Sequence, residues 1–123
     1  ALRAAGLRII DTILTSYTEL IAHPASWANP EKRHAMEQLH TLLIGTLEAR
    51  GQVLVKLNVS EASFEKVLKV LPSAKSPTVS RLASGDYAIE SVVQKRTINT
   101  VIPALKDAGA SDILEIPISK IIH

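Results

Sequence analysis

Residues 75–93, KSPTVSRLASGDYAIESVV, decide how the chain folds. Pro77 has no N–H and a fixed φ, which suits a strand start or a sheet edge. Ser84-Gly85-Asp86 is turn chemistry, with Gly85 able to take a positive φ at little cost. Beyond the turn, Tyr87, Ile89, Ser91 and Val93 alternate with Ala88, Glu90 and Val92, the period of a half-buried strand. The stretch reads as two strands joined by a tight turn. Apolar runs that make further strands and helices lie on either side.

Upstream, Val53, Val55, Leu57 and Val59 line one face of a strand. Ser60 is placed to cap a helix whose Phe64, Val67, Leu68 and Leu71 recur at helical spacing, and Pro72-Ser73 stops it. Downstream, Ile98, Val101, Ile102 and Leu105 mark a second helix closed at Gly109, with Pro103 a candidate kink. Asp112 to Ile118 is the last strand. Two β-α-β units in tandem predict an α+β fold, a ferredoxin-like βαββαβ sandwich with both helices on one face of an antiparallel sheet. On the other face the alternation puts Leu54, Ala88, Val92 and Ile113 among Lys56, Asn58, Glu90 and Glu115. A half-apolar face of this kind expects a cover, a second copy of the sheet or a neighbouring domain.

Asn29-Pro30-Glu31 opens a long helix, as N-cap, first helical residue and acid at the positive end. Met36, Leu39, Leu43 and Leu47 form its stripe and Gly51 ends it. At about 30 Å it suits a connector between domains. Residues 1–16 read as a helix through Leu2, Leu7, Ile10, Ile13 and Leu14, and Thr18 to His23 as a short strand ended by Pro24. A lone strand needs a sheet beside it. The expected division is therefore 1–28 as the helix-strand tail of another domain, 29–51 as connector helix, and 52–123 as the ferredoxin-like domain.

Composition narrows the chemistry. No cysteine occurs, which excludes disulfides and thiolate catalysis. No run approaches a membrane span and no signal pattern opens the chain, in keeping with a cytoplasmic location. The net charge is +2 without a basic cluster, and only Tyr17, Trp27, Phe64 and Tyr87 are aromatic, so no nucleic-acid partner is expected. The histidines, His23, His34, His40 and His123, show no metal-ligand spacing, and neither a Gly-rich phosphate loop nor a nucleophile elbow is present. No catalytic or metal-binding residue is assigned. Asn58 ends a strand before a helix start, and Ser76, Thr78 and Ser80 place hydroxyls along another strand. Such groups suit a small charged ligand such as an amino acid, or serve only as turn and cap residues.

Ser76-Pro77-Thr78-Val79-Ser80, Leu82 and Asp86-Tyr87-Ala88-Ile89 resemble the C-terminal regulatory domain of long-form ATP phosphoribosyltransferase. Gly109-Ala110 before Asp112-Ile113-Leu114, and Glu31-Lys32 at the long helix, agree with it. Leu2-Arg3-Ala4-Ala5-Gly6-Leu7 is similar to the helix that follows the family's phosphate loop, so the resemblance spans essentially the whole chain and implies that it begins just after that loop, with residues 1–28 closing an α/β catalytic domain. The parent enzyme would be a glycosyltransferase of histidine biosynthesis, joining ATP to phosphoribosyl pyrophosphate with Mg²⁺ screening the phosphates, through residues outside this stretch. The resemblance implies L-histidine as feedback inhibitor in a pocket between subunits, formed by Asn58, Ser76 and Thr78, the hydrophobic wall Val92 and backbone near Asp112 of the adjacent subunit. Asn58 stands at the family's acidic or amide position, where it weakens a salt bridge to the ligand ammonium but still accepts a hydrogen bond. Self-association from dimer to hexamer, favoured in its compact form by histidine, follows from the same resemblance. The other expectation is a stand-alone sensing or oligomerisation module without enzyme activity.

Overall fold

A computed structural model describes residues 1–72 and 76–123. Ser73 of the expected helix stop and Lys75 of the hairpin stretch lie outside the described residues. The chain divides into two compact units, residues 1–35 and 36–123.

In the first unit the expected helix over 1–16 and strand over 18–23 do not form. A single turn closes at Gly6, whose φ is +75°. The Leu7 N–H reaches the Leu2 carbonyl at 3.0 Å and the Gly6 N–H reaches Arg3 at 3.1 Å. That pairing is a Schellman stop, so the residue read as a weak point is a terminator. Residues 7–23 carry neither helix nor strand. Their apolar side chains stay exposed, with Ile13 98% and Ile10 88% accessible, and the described sheet takes no strand from them. Pro24 does not end a strand but starts the short helix α1, Pro24–Ala28, which His23 caps by accepting the Ala25 N–H on Nδ1 at 3.2 Å. Helix α2, Pro30–Ala49, begins as its sequence predicts. Asn29 Oδ1 accepts the N–H groups of Glu31 and Lys32, each at 3.1 Å.

The second unit carries the sheet. Strands β1 (Gln52–Val59), β2 (Thr78–Arg81), β3 (Tyr87–Gln94) and β4 (Ala110–Pro117) lie in the order β2-β3-β1-β4, every pair antiparallel. Helix α3 (Phe64–Val70) follows β1 and helix α4 (Ile98–Asp107) follows β3, each entered through one tight turn of 3₁₀ helix. Ser60 stands before the first of these turns but makes no side-chain cap bond. This is the expected βαββαβ sandwich. Val53, Val55, Leu57 and Val59 face Val67, Leu71, Val101 and Leu105, with Ile89 and Val93 beside them on the sheet, and close one core. Burying one such side chain fully contributes about 1.5–3 kcal/mol, which is why two strands and two helices suffice. The hairpin turn is held by Leu82 N–H to Asp86 O at 2.7 Å and Gly85 N–H to Leu82 O at 3.0 Å, with Gly85 at φ +92°. Helix α4 runs four residues beyond Pro103 to Asp107.

One expectation about β4 is corrected. Lys56 pairs with Leu114 but Asn58 pairs with Ser111, so β4 holds one residue more than β1 at this point. Asp112 carries the irregularity at φ +49°. A single inserted residue inverts the side-chain alternation beyond it. Ile113 therefore packs against the core, and Glu115, opposite Val55, leaves the open face. Leu114 and Ile116 take their places there.

Candidate functional site

The open sheet face can be read as rows of side chains across the strands, because directly paired residues share a face. One row is Ser80, Ala88, Asn58 and Ser111; the next is Thr78, Glu90, Lys56 and Leu114; the next is Val92, Leu54 and Ile116. Rows lie about 7 Å apart along a strand. Strand alternation thus brings hydroxyls, a carboxylate and an ammonium to one surface beside an apolar patch. Leu114, Ile116 and Val92 are 51%, 38% and 36% exposed, far from the near-zero exposure of Leu57 and Ile89 behind them.

A groove of about 540 Å³ runs over the second and third rows. Ser76, Thr78, Glu90, Val92 and Leu54 line it, and Ile121 to His123 close one side. Those last residues turn back onto α2. The Ile121 N–H donates to the Gly45 carbonyl at 2.9 Å, and His123 Nε2 lies 3.5 Å from Glu48 Oε2. Gly45 leaves room for Ile122, whose side chain occupies the space a Cβ would fill. Inside the groove's row, Lys56 Nζ is 2.9 Å from Glu90 Oε1 with both side chains over a third exposed, a pair worth about 0–1 kcal/mol in stability.

The five residues singled out from the sequence fall in two places. Ser76, Thr78 and Val92 come together in the groove. Asn58 and Asp112 come together one row away, where Asn58 Nδ2 donates to Asp112 Oδ2 at 3.0 Å, and neither lines the groove. Glu90, Leu54 and the Ile121–His123 segment were not anticipated as lining. Glu90 had a legible sign, since it stands two residues from Val92 and so on the same face. No local pattern could join residues 121–123 to a helix some seventy-five positions earlier. Among the described residues no group of three or more acidic or histidine side chains comes together as a metal site. No helix among them is long and apolar enough to cross a membrane.

The family model described as HisG, C-terminal domain, matches residues 49–120. The chain is 44% identical over 123 residues to an ATP phosphoribosyltransferase of Solibacter usitatus (strain Ellin6076), covering 99% of this chain and 43% of that protein. It is 46% identical to an ATP phosphoribosyltransferase of Desulforudis audaxviator (strain MP104C), again over 99% of this chain and 43% of the relative. The chain thus spans less than half the length of these relatives.

Proposed function

The chain belongs to the HisG C-terminal domain family, and from that premise we propose that it is the regulatory portion of an ATP phosphoribosyltransferase whose open-face groove takes L-histidine. The proposed parent reaction joins ATP and phosphoribosyl pyrophosphate, releasing pyrophosphate, at the entry to histidine biosynthesis in the cytoplasm. Its phosphate-handling residues and Mg²⁺ belong to the remainder of the enzyme.

The observation that carries the reading is the convergence of Ser76, Thr78 and Val92 on one groove with a carboxylate in it. An amino acid needs acceptors for its ammonium, donors for its carboxylate and an apolar wall for its side chain. Hydroxyls can donate or accept, Glu90 accepts, and Val92 with Leu54 supplies the wall. The exposed Leu114, Ile116 and Val92 support pairing of this face with a second copy, from dimer to hexamer. Histidine then inhibits by binding one assembly state more tightly than the other, since a ligand shifts an equilibrium only by its difference in affinity.

Calorimetric titration with L-histidine, against L-arginine as control, tests the ligand. Saturable histidine-selective binding that is lost in Thr78→Val is the expected result, and equal heats for both amino acids would refute it. Velocity sedimentation with and without histidine tests the assembly claim, which an unchanged profile at saturating ligand would refute.

A further inference from the structure

We propose that the helix side of the sheet carries a second small-molecule site, which takes a monocarboxylate with a compact apolar body. Its position owes nothing to the groove on the open face. Arg96, Thr100 and Ala104 follow one another at four-residue spacing along the helical run that enters and forms α4, so they share one flank of it. Val70 and Pro72, where α3 ends, stand across from that flank, and Val101 lines the gap between. The resulting groove has a volume of about 440 Å³. Apolar walls of this size with a few convergent polar groups are the usual form of a small-ligand site.

The polar end of this groove selects the ligand's charge. Arg96 Nε donates to Gln94 Oε1 at 2.6 Å, which holds the guanidinium plane and leaves the Nη1–Nη2 fork for a partner. No carboxylate among the described residues pairs with that fork, and none lines the groove. Two N–H groups side by side on a rigid guanidinium match a carboxylate bidentately. Thr97 Oγ1 is spent on the Gln94 carbonyl at 3.0 Å. The Thr100 hydroxyl has no bond among the described residues and, one turn on from Arg96, can donate to the same anion. One guanidinium balances one negative charge. An ammonium would meet no carboxylate here, so an α-amino acid fits less well than the same acid without its amine.

The probes are 3-phenylpropanoate and 4-methylpentanoate, with their neutral amides and L-phenylalanine as controls. Each is titrated into the 123-residue chain while its backbone amides are followed by proton–nitrogen correlation NMR. Saturable shifts at Val70, Arg96, Thr97 and Thr100 are expected, with at least one carboxylate bound about tenfold more tightly than its amide. Arg96→Gln should remove that preference. Ala104→Phe, which fills the groove, should remove the binding, and an unchanged urea midpoint in each variant excludes a folding defect. A preference that survives Arg96→Gln, or shifts confined to open-face residues such as Thr78 and Val92, overturns the site. So does the absence of saturable shifts with both carboxylates up to about 10 mM. L-phenylalanine bound as tightly as 3-phenylpropanoate overturns the assigned ligand class.

Discussion

Gly109 sits at φ +107°, a conformation L side chains rarely adopt, and a Cβ there would lie 2.7 Å from Ser63 Oγ. Backbone and packing thus both demand glycine between α4 and β4. Gly109→Ala is expected to cost about 2 kcal/mol, read as a lower urea midpoint at unchanged slope. Asp112 is the opposite case, a non-glycine residue at φ +49°, where a short polar side chain is tolerated and a β-branched one is not. Asp112→Val should therefore destabilise by about 1–2 kcal/mol while Asp112→Gly stays near neutral, although both remove the bond to Asn58. These two residues also mark what the sequence could convey at this scale. Val53, Val55, Leu57 and Val59 announce their face because an uninterrupted strand keeps its period. Ile113 does not, because one inserted residue leaves composition untouched and reverses every orientation after it. Of the candidate ligand residues, Val92 was legible on the open face by alternation and only the resemblance joined it to Thr78, whereas the bonding of Asn58 to Asp112 depends on that bulge.

Elements were legible where local chemistry and tertiary partners agree. Asn29, Pro30 and Gly51 bound α2 as capping rules require, and α4 buries Ile98, Val101 and Leu105 at helical spacing. Residues 7–23 are apolar at comparable spacing, yet Gly6 closes the turn before them and nothing described covers them. Periodicity supplies a face, and a face without a partner does not make a helix stable in water. Asn29→Ala should lower the stability of α2 by about 1 kcal/mol, seen as faster amide exchange in its first turn. Gly45→Leu makes a sharper test of the contact with residues 121–123. Replacing glycine inside a helix favours α2 by up to about 1 kcal/mol. The added side chain nevertheless takes the space of Ile122, so the Ile121 amide should lose its exchange protection while Leu57 and Ile89 keep theirs.

At the scale of the whole molecule, every buried apolar side chain described lies between Ala49 and Ala110. Residues 1–28 contribute none, so a chain of residues 29–123 should unfold at the same urea midpoint as the full chain. Equally, Leu114→Lys and Ile116→Lys should leave that midpoint within about 0.5 kcal/mol, both side chains being exposed, while weakening the proposed face-to-face assembly at least tenfold by sedimentation. The order β2-β3-β1-β4 leaves the outer side of β4 without a strand neighbour. An open edge is a template on which further strands can stack without limit, as in fibres. Here the left-handed Asp112 interrupts that edge at one end and Pro117, with no N–H to give, interrupts it at the other. Only Ile113 to Ile116 remain as an uninterrupted ladder, too short to hold another strand firmly. Growth by strand addition along the β4 edge is thereby curtailed.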